Sequence, residues 1–389
     1  PYAADVSEGK NNPIYMAHSY HTKVPHPAIM RYLMHYTQPG DIVYDGFAGT
    51  GMTGVAGNLC SNPEPVMKRK IEIENINYQW GKRNTICGDL SPAASFIASN
   101  FNIKTNIDDF INKAESSLKK VNNELGWLYK IRHDDKNFGT VSYFVWSDVF
   151  ECFNCGSEVV LFNQSVDLEN KTINSEFPCQ NCGTTLSKKT CERVWETKYD
   201  NIINKTVKTT KTIPVLANYI FKGKRYERPI NDDDLELLNK IEEYHIDTFV
   251  PLLELYEGYN TSQPMNSNGV NFIHQFYSRR NLIFLSALWQ SLDGNPLKMW
   301  ITASMIRTTR MYKFTLDRKM GTVSGTLYFP SFWTENAAPK LLARKLKDIA
   351  KGLLLIKDNN IVQTGSASNS MIDSNSIDYI FTDPPFGAN

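Results

Sequence analysis

Ile42-Val43-Tyr44-Asp45-Gly46-Phe47-Ala48-Gly49-Thr50-Gly51, running on into Met52-Thr53-Gly54-Val55-Ala56-Gly57-Asn58-Leu59, is the stretch that decides how this chain is read. Its first residues form a short strand of the buried type, its middle a glycine-rich turn, and the part from Thr53 to Leu59 opens a helix. A Gly-x-Gly turn between strand and helix removes Cβ atoms where a ligand must approach the backbone. It also aims helix-terminal N–H groups at the ligand's polar end. Gly49 and Gly51 meet that need. Taken alone, such a turn fits any nucleotide-like ligand or a mere tight connection.

Upstream, Pro27 opens a helix with Ile29, Leu33 and Tyr36 on one face, and Gln38-Pro39-Gly40 stops it. Downstream, Thr85-Ile86-Cys87-Gly88-Asp89 repeats the layout. That strand ends on a carboxylate, and Ser91-Pro92 caps a helix from Ala93 to Phe101. Asp89 stands where a doubly wound sheet accepts hydrogen bonds from ribose hydroxyls, and equally where it could cap the next helix. Alternation of this kind predicts a parallel sheet in an α/β fold. Near the other end, Asn360 to Gly365 reads as a strand entering a tight turn. Ile377 to Thr382 reads as a strand delivering Asp383-Pro384-Pro385-Phe386. The opening and closing segments therefore belong to one sheet, with the residues between about Asn106 and Leu355 inserted or peripheral.

Within the insertion, apolar residues from Ile107 to Leu128 recur at helical spacing and predict one long helix over Asn106 to Lys130. Val141 to Cys191 is rich in aromatic, β-branched and cysteine residues and reads as a small β-rich insertion. Helical periods return over Asp232–Tyr244, Tyr277–Leu292, Pro296–Arg310 and Pro339–Leu355. The expected division is 1–105 and 356–389 for the sheet, 106–140 for the long helix and connection, 141–191 for the cysteine module, and 192–355 for a basic and helical insertion.

Cys152-x-x-Cys155 and Cys179-x-x-Cys182, each pair followed by glycine, have the spacing of a zinc ribbon. Four thiolates complete a tetrahedral site closed to substrate, so the zinc is expected to be structural and to fold a module too small for its own core. Cys60 and Cys87 read as small core residues, and Cys191 as a neighbour of the ribbon. His18, His21, His26 and His35 lack ligand spacing.

The 389 residues carry 42 basic and 41 acidic side chains, so net charge demands no polyanionic partner. Local excess exists between Lys188 and Arg228, and again at Arg307, Arg310, Lys313, Arg318 and Lys319, interleaved with Met311, Tyr312 and Phe314. A solvated surface is the alternative for the first stretch. No apolar run approaches the ~20 residues that cross a bilayer, and the start at Pro1 has no signal-peptide pattern, so a cytoplasmic protein is expected.

Tyr20-His21-Thr22-Lys23-Val24-Pro25, Pro39 to Tyr44 and Asp45 to Gly51 resemble the successive cofactor motifs of the amino-group DNA methyltransferases, which methylate N6 of adenine or N4 of cytosine. The resemblance covers roughly residues 18 to 101 and 360 to 387. It implies a class I methyltransferase (Rossmann-like) sheet and S-adenosylmethionine as cofactor. Asp45, Phe47, Gly49 and Gly51 would enclose its methionine part, with His21, Thr22 and Lys23 beside the polar end and Asp89 on the ribose. Gly46 replaces the family's usual proline. Val362 to Ala367 resembles the next motif, where Ser366 stands in the place of an acidic residue that meets the adenine amino group.

The resemblance makes Asp383, Pro384, Pro385 and Phe386 the catalytic loop. The aspartate side chain and the Pro384 carbonyl would accept the two protons of an exocyclic amine, two prolines would stiffen the loop, and Phe386 would stack on a flipped base. An initial aspartate leans toward adenine N6 within the family. DNA is then the expected partner, and many members serve restriction or phage defence. Guanine-N2 methyltransferases acting on transfer RNA share a similar loop. A non-enzymatic zinc-ribbon subunit with a degenerate methyltransferase fold is the alternative from another class. The family sheet also needs about three strands beyond Asn389, so a fragment, or a partner supplying the rest, is expected.

Overall fold

A computed structural model describes residues 10–74 and 78–384. Pro385 and Phe386 of the expected catalytic loop lie outside the described residues. The chain is a mixed α/β structure in two compact units. One comprises Pro1–Ser116, Asp293–Ala303 and Arg344–Asn389, and the other Ser117–Leu292 and Ser304–Ala343. No helix among the described residues is long and apolar enough to cross a membrane.

The first unit is built on a four-stranded parallel sheet of Ile42–Asp45, Asn84–Asp89, Ile361–Thr364 and Tyr379–Ile380, ordered third, second, first, fourth. Ile42 pairs with Asn84, Val43 with Tyr379, and Ile361 with Ile86. The chain moves outward through the second and third strands and returns on the other side of the first. At such a reversal the connections after neighbouring strands diverge and leave a crevice at the strands' C-terminal ends.

The helix Met52–Leu59 is buried along its whole length, which explains its run of small residues. A Cβ on Gly54 would meet the Asn102 side chain at 2.0 Å, and one on Gly57 would meet Thr85 at 2.7 Å. Asn102, fully buried at the end of the helix Pro92–Asn102, donates its amide to the carbonyls of Gly51 and Ala98 and accepts from the side chain of Asn360. Asn360 in turn donates to the Gly54 carbonyl. This amide pair ties the turn after the first strand to the start of the third.

The second unit is organised by the fourteen-residue strand Phe138–Glu151. It pairs antiparallel with Thr212–Phe221 and Phe332–Asn336, with Lys130–Arg132 at one end, and with Glu158–Val160 and Glu192–Arg193 at the other. The β-rich insertion expected over 141–191 is therefore not self-contained, because its main strand is shared with strands from outside that range. β structure also continues past 192. The hairpins Trp195–Asp200/Lys205–Thr210 and Thr212–Phe221/Lys224–Pro229 occupy the region expected to be basic and helical, and helices begin only at Asp232. The β-branched Thr206, Val207, Thr209 and Thr210, the last two buried and the lysines exposed, suit a strand rather than a helix.

The long helix is shorter than expected. It spans Ile107–Leu125, and Gly126 gives way to a 3₁₀ turn that carries Leu128 and Tyr129 into the core. The helix expected to reach Arg310 covers Asn295–Met305 and also tightens into a 3₁₀ turn. The others follow their periodicity, at Asp232–Glu243, Arg279–Ser291 and Ala338–Leu353. The first of these starts on a reciprocal Asn231–Asp234 capping box, with Asp234 also held by Arg228.

Candidate active site and metal centre

A cavity of about 720 Å³ opens at the C-terminal ends of the parallel strands. Its lining comes from five separated segments. Tyr20, His21 and Thr22 form one side, Gly46, Phe47 and Gly49 the turn after the first strand, and Asp89 and Leu90 the end of the second. Ser366, Ala367 and Ser368 follow the third strand, and Asp383 and Pro384 follow the fourth. A smaller recess shares Tyr20, Thr22, Phe47, Gly49 and Asp383 with it and adds Lys23, Asp45 and Thr50. Every site residue that the sequence suggested for this unit, apart from Gly51 and the two that lie outside the described residues, borders one of these two spaces.

The turn is held by carboxylates. One oxygen of Asp89 accepts the Gly49 N–H at 2.8 Å and the other accepts the Ser91 N–H at 2.8 Å. Each oxygen keeps a second lone pair, so both sequence-based roles of Asp89 are compatible with its geometry. Asp45 accepts the Phe47 N–H at 3.0 Å and the Thr53 hydroxyl at 2.5 Å. Burial pushes its carboxyl up to about 6. The hydrogen bonds from Thr53 and Phe47 oppose that shift, and the charges of Asp89 and Asp383 add to it. Burial, with the Asp89 charge adding to it, also raises the Tyr20 phenol.

The two glycines do different work. Gly49 has φ +52 and, apart from one Tyr20 ring carbon at 3.8 Å, open space where a Cβ would stand. Gly51 has φ +73, and a Cβ there would meet Asn102 Nδ2 at 2.4 Å and Ala98 Cβ at 2.9 Å. Gly49 thus keeps the cavity open, while Gly51 lets two helices close on each other. Gly46 is also confined, though less tightly, since a Cβ would come within 2.9 Å of Ala367 and 3.0 Å of the Tyr44 hydroxyl. A side chain here would have to displace Ala367 or the Tyr44 ring. Between Gly49 and Gly51, Thr50 is 2% exposed and its hydroxyl has no hydrogen-bond partner among the described residues. An orphaned buried hydroxyl on the wall of a recess suits a polar ligand atom.

Lys23 is placed differently from the expectation that it flanks a ligand's polar end. Its amine is occupied by the carbonyls of Ile14, Tyr15 and His18 at 3.0–3.3 Å, and it lies over the Phe101 ring. Burial, with the Lys345 charge nearby, pushes it down to about 7. It therefore anchors the segment that carries Tyr20, His21 and Thr22. His18 and His26 are also buried and pushed down, to about 4 and about 3, chiefly by desolvation. The sequence reading did not single out Tyr20 or Leu90. Leu90 is 75% exposed at the cavity's edge, and an apolar residue directly after the strand-ending carboxylate was the available signal.

In the second unit the sulfurs of Cys152, Cys155, Cys179 and Cys182 all lie within 4.8 Å of one another, with Cys152–Cys182 and Cys155–Cys179 at 3.8 Å. A tetrahedron with metal–sulfur bonds of about 2.3 Å has edges of about 3.8 Å, so the four can hold a zinc ion. Matching turns build the site. Gly156 and Gly183 take φ +70 and +73 and donate N–H to the carbonyls of Cys152 and Cys179. Cys152 and Cys179 also belong to an apolar cluster with Phe150, Val159, Phe162, Phe177 and Leu186. Cys191 packs in that cluster and is not one of the four.

The second basic cluster is partly occupied internally. Arg310 lies over Phe329 and Trp333 and donates to the Gln275 carbonyl, and Arg318 is bound to Glu227 and Tyr143. Exposed lysines and arginine concentrate instead on the two hairpins, at Lys198, Lys205, Lys208, Lys222, Lys224 and Arg225. No protein-family model, curated protein or solved structure matches the chain.

Proposed function

We propose that the chain is a DNA methyltransferase of the class I, Rossmann-like type, acting on an exocyclic amine and most directly on adenine N6. The observation that carries this reading is the convergence of the glycine turn, the Asp89 carboxylate, the Ser366 turn and the Asp383-Pro384 corner on one cavity. Its volume falls in the ~300–1,000 Å³ range of small-molecule sites. The third, second, first, fourth strand order suits the proposed fold. Resemblance of the motifs supplies the choice of cofactor and of DNA.

S-adenosylmethionine, when bound, supplies a methyl group on a sulfonium centre. Asp89 fits its ribose, the Gly49 turn lets it reach the backbone, and Thr50 and Asp45 offer a hydroxyl and a carboxylate to its amino-acid end. Leu90 offers an apolar face beside the ribose position. On the acceptor side, the Asp383 carboxylate accepts one N–H of the target amine and the Pro384 carbonyl the other. This turns the nitrogen lone pair out of conjugation with the ring. As nitrogen becomes positive on alkylation, Asp383 is the group that holds and then takes its proton.

A labelled-methyl transfer assay comparing duplex DNA with transfer RNA tests the reading. Label should enter DNA adenine, and Asp383→Ala should lower the rate at least ~100-fold with cofactor affinity retained. Label confined to RNA, or full activity in the variant, overturns it.

A further inference from the structure

The hairpin Trp195–Asp200/Lys205–Thr210 presents a face that the methyl-transfer chemistry does not use. Pairing places Trp195 opposite Thr210, Thr197 opposite Lys208, and Tyr199 opposite Thr206. Because side chains alternate along a strand, Trp195, Thr197, Tyr199, Thr206 and Lys208 share one side of the ribbon. Lys208 lies diagonally between the two rings, and its amine stands 5.5 Å from the Trp195 ring. Trp195 is 39% exposed and Tyr199 65%.

The indole is also braced. A Cβ on Gly269 would stand 3.0 Å from the Trp195 ring and 2.1 Å from the Lys208 carbonyl, so this glycine lets the turn after Ser262–Asn268 press against the ribbon. Trp195 and Tyr199 are four residues apart, about 13 Å along the strand, several times the stacking distance in a duplex. That spacing suits two unpaired bases of an extended single strand with one further nucleotide between them. The intervening Lys208 supplies the cation that a phosphate between them needs.

We infer that this ribbon is a binding face for single-stranded DNA, with Trp195 and Tyr199 stacking on unpaired bases and Lys208 on a phosphate of the backbone that links them. The inference deepens the DNA reading of the preceding subsection and rests on it for the choice of DNA over RNA. Ordinary cross-strand stabilisation of a hairpin would use the same residue types, so the test must separate binding from stability.

Fluorescence anisotropy of the full chain with a labelled single strand of about 20 nucleotides, and with the matching duplex and RNA, makes that separation. Trp195→Ala and Tyr199→Ala should each weaken single-strand binding about tenfold, with a smaller loss for the duplex, while Tyr199→Phe keeps affinity. Lys208→Gln should reduce the salt dependence by about one phosphate contact. Melting midpoint and zinc content, recorded on each variant, identify any loss of fold, and Tyr199→Phe with Lys208→Gln carries the test if an alanine variant unfolds. Unchanged affinity, equal loss for duplex, preference for RNA, or Tyr199→Phe failing as badly as alanine overturns the inference. Titrating S-adenosylmethionine into the same proteins keeps the two readings apart. Absent cofactor binding with ring-dependent DNA binding removes the transferase alone, and the converse removes the ribbon alone.

Discussion

The cavity of the parallel-sheet unit and the cysteine centre of the antiparallel unit are assembled in opposite ways. The cavity draws on segments from Tyr20 to Pro384, whereas the four sulfurs come from one stretch, Cys152–Cys182. In the first, each functional group is placed by packing between distant elements: Gly51 against Asn102, Gly46 against Ala367, and Gly49 on Asp89. In the second, two copies of one tight turn do the placing. A site gathered from afar should therefore fail through its packing, and a site made locally should fail through its ligand.

The largest expected break is in the local site. Cys152→Ser removes one of the four sulfurs that can hold zinc, a sulfur also buried among Phe150, Phe162 and Phe177, so zinc content should fall and the second unit's melting midpoint should drop by about 10 °C or more. Cofactor affinity should change little, because no cysteine of the quartet borders the cavity. Mass spectrometry under native conditions and calorimetric melting read the two effects.

A break in packing comes next. Gly51→Ala places a methyl on Asn102 and requires a left-handed backbone, for a combined cost of roughly 3 kcal/mol measured by denaturant unfolding. Gly49→Ala meets only the left-handed cost, about 1–2 kcal/mol, and should instead show its main effect as lost cofactor affinity. Equal destabilisation by both would erase the distinction drawn between the two glycines.

The smallest effect sharpens the electrostatics of the cavity. The folded-state carboxyl of Asp45 stands at about 6, above its ordinary value. Its contribution to stability is thus fully present below about pH 4 and is lost as pH rises through 6. A ligand ammonium beside it favours the ionised form, so S-adenosylmethionine should bind about tenfold more tightly at pH 7.5 than at pH 5. In Asp45→Asn that slope should flatten, as titration calorimetry would reveal. Apo melting curves are a poorer readout, because His18 and His26, held neutral by burial, add acid sensitivity of the opposite sign.

The comparison also marks what could be read in the chain before folding. Motifs whose chemistry is local were legible. The cysteine knuckles with their glycines, the strand-turn-helix around Gly49, and the carboxylate at Asp89 each announce themselves within a few residues. What escaped was set by tertiary neighbours. The Asn102–Asn360 amide pair has no sequence signature, since either residue alone reads as an ordinary cap or turn. The hairpins over 195–229 were hidden beneath their lysines, although Lys222-Gly223 between β-branched and aromatic residues was a usable turn signal. Lys23 sits inside a motif yet faces the carbonyls behind it, a direction that spacing cannot encode.

The pairing of Val43 with Tyr379 bears on how the molecule comes into being. During synthesis the first strand leaves the ribosome long before its neighbour exists, and the complete antiparallel unit is made in the interval. Closing so long a loop is entropically unfavourable and slow. The walls contributed by Ser366 and Asp383 are the last of the cavity's lining to arrive, so nascent chains should complete the cysteine quartet well before they can close the cavity.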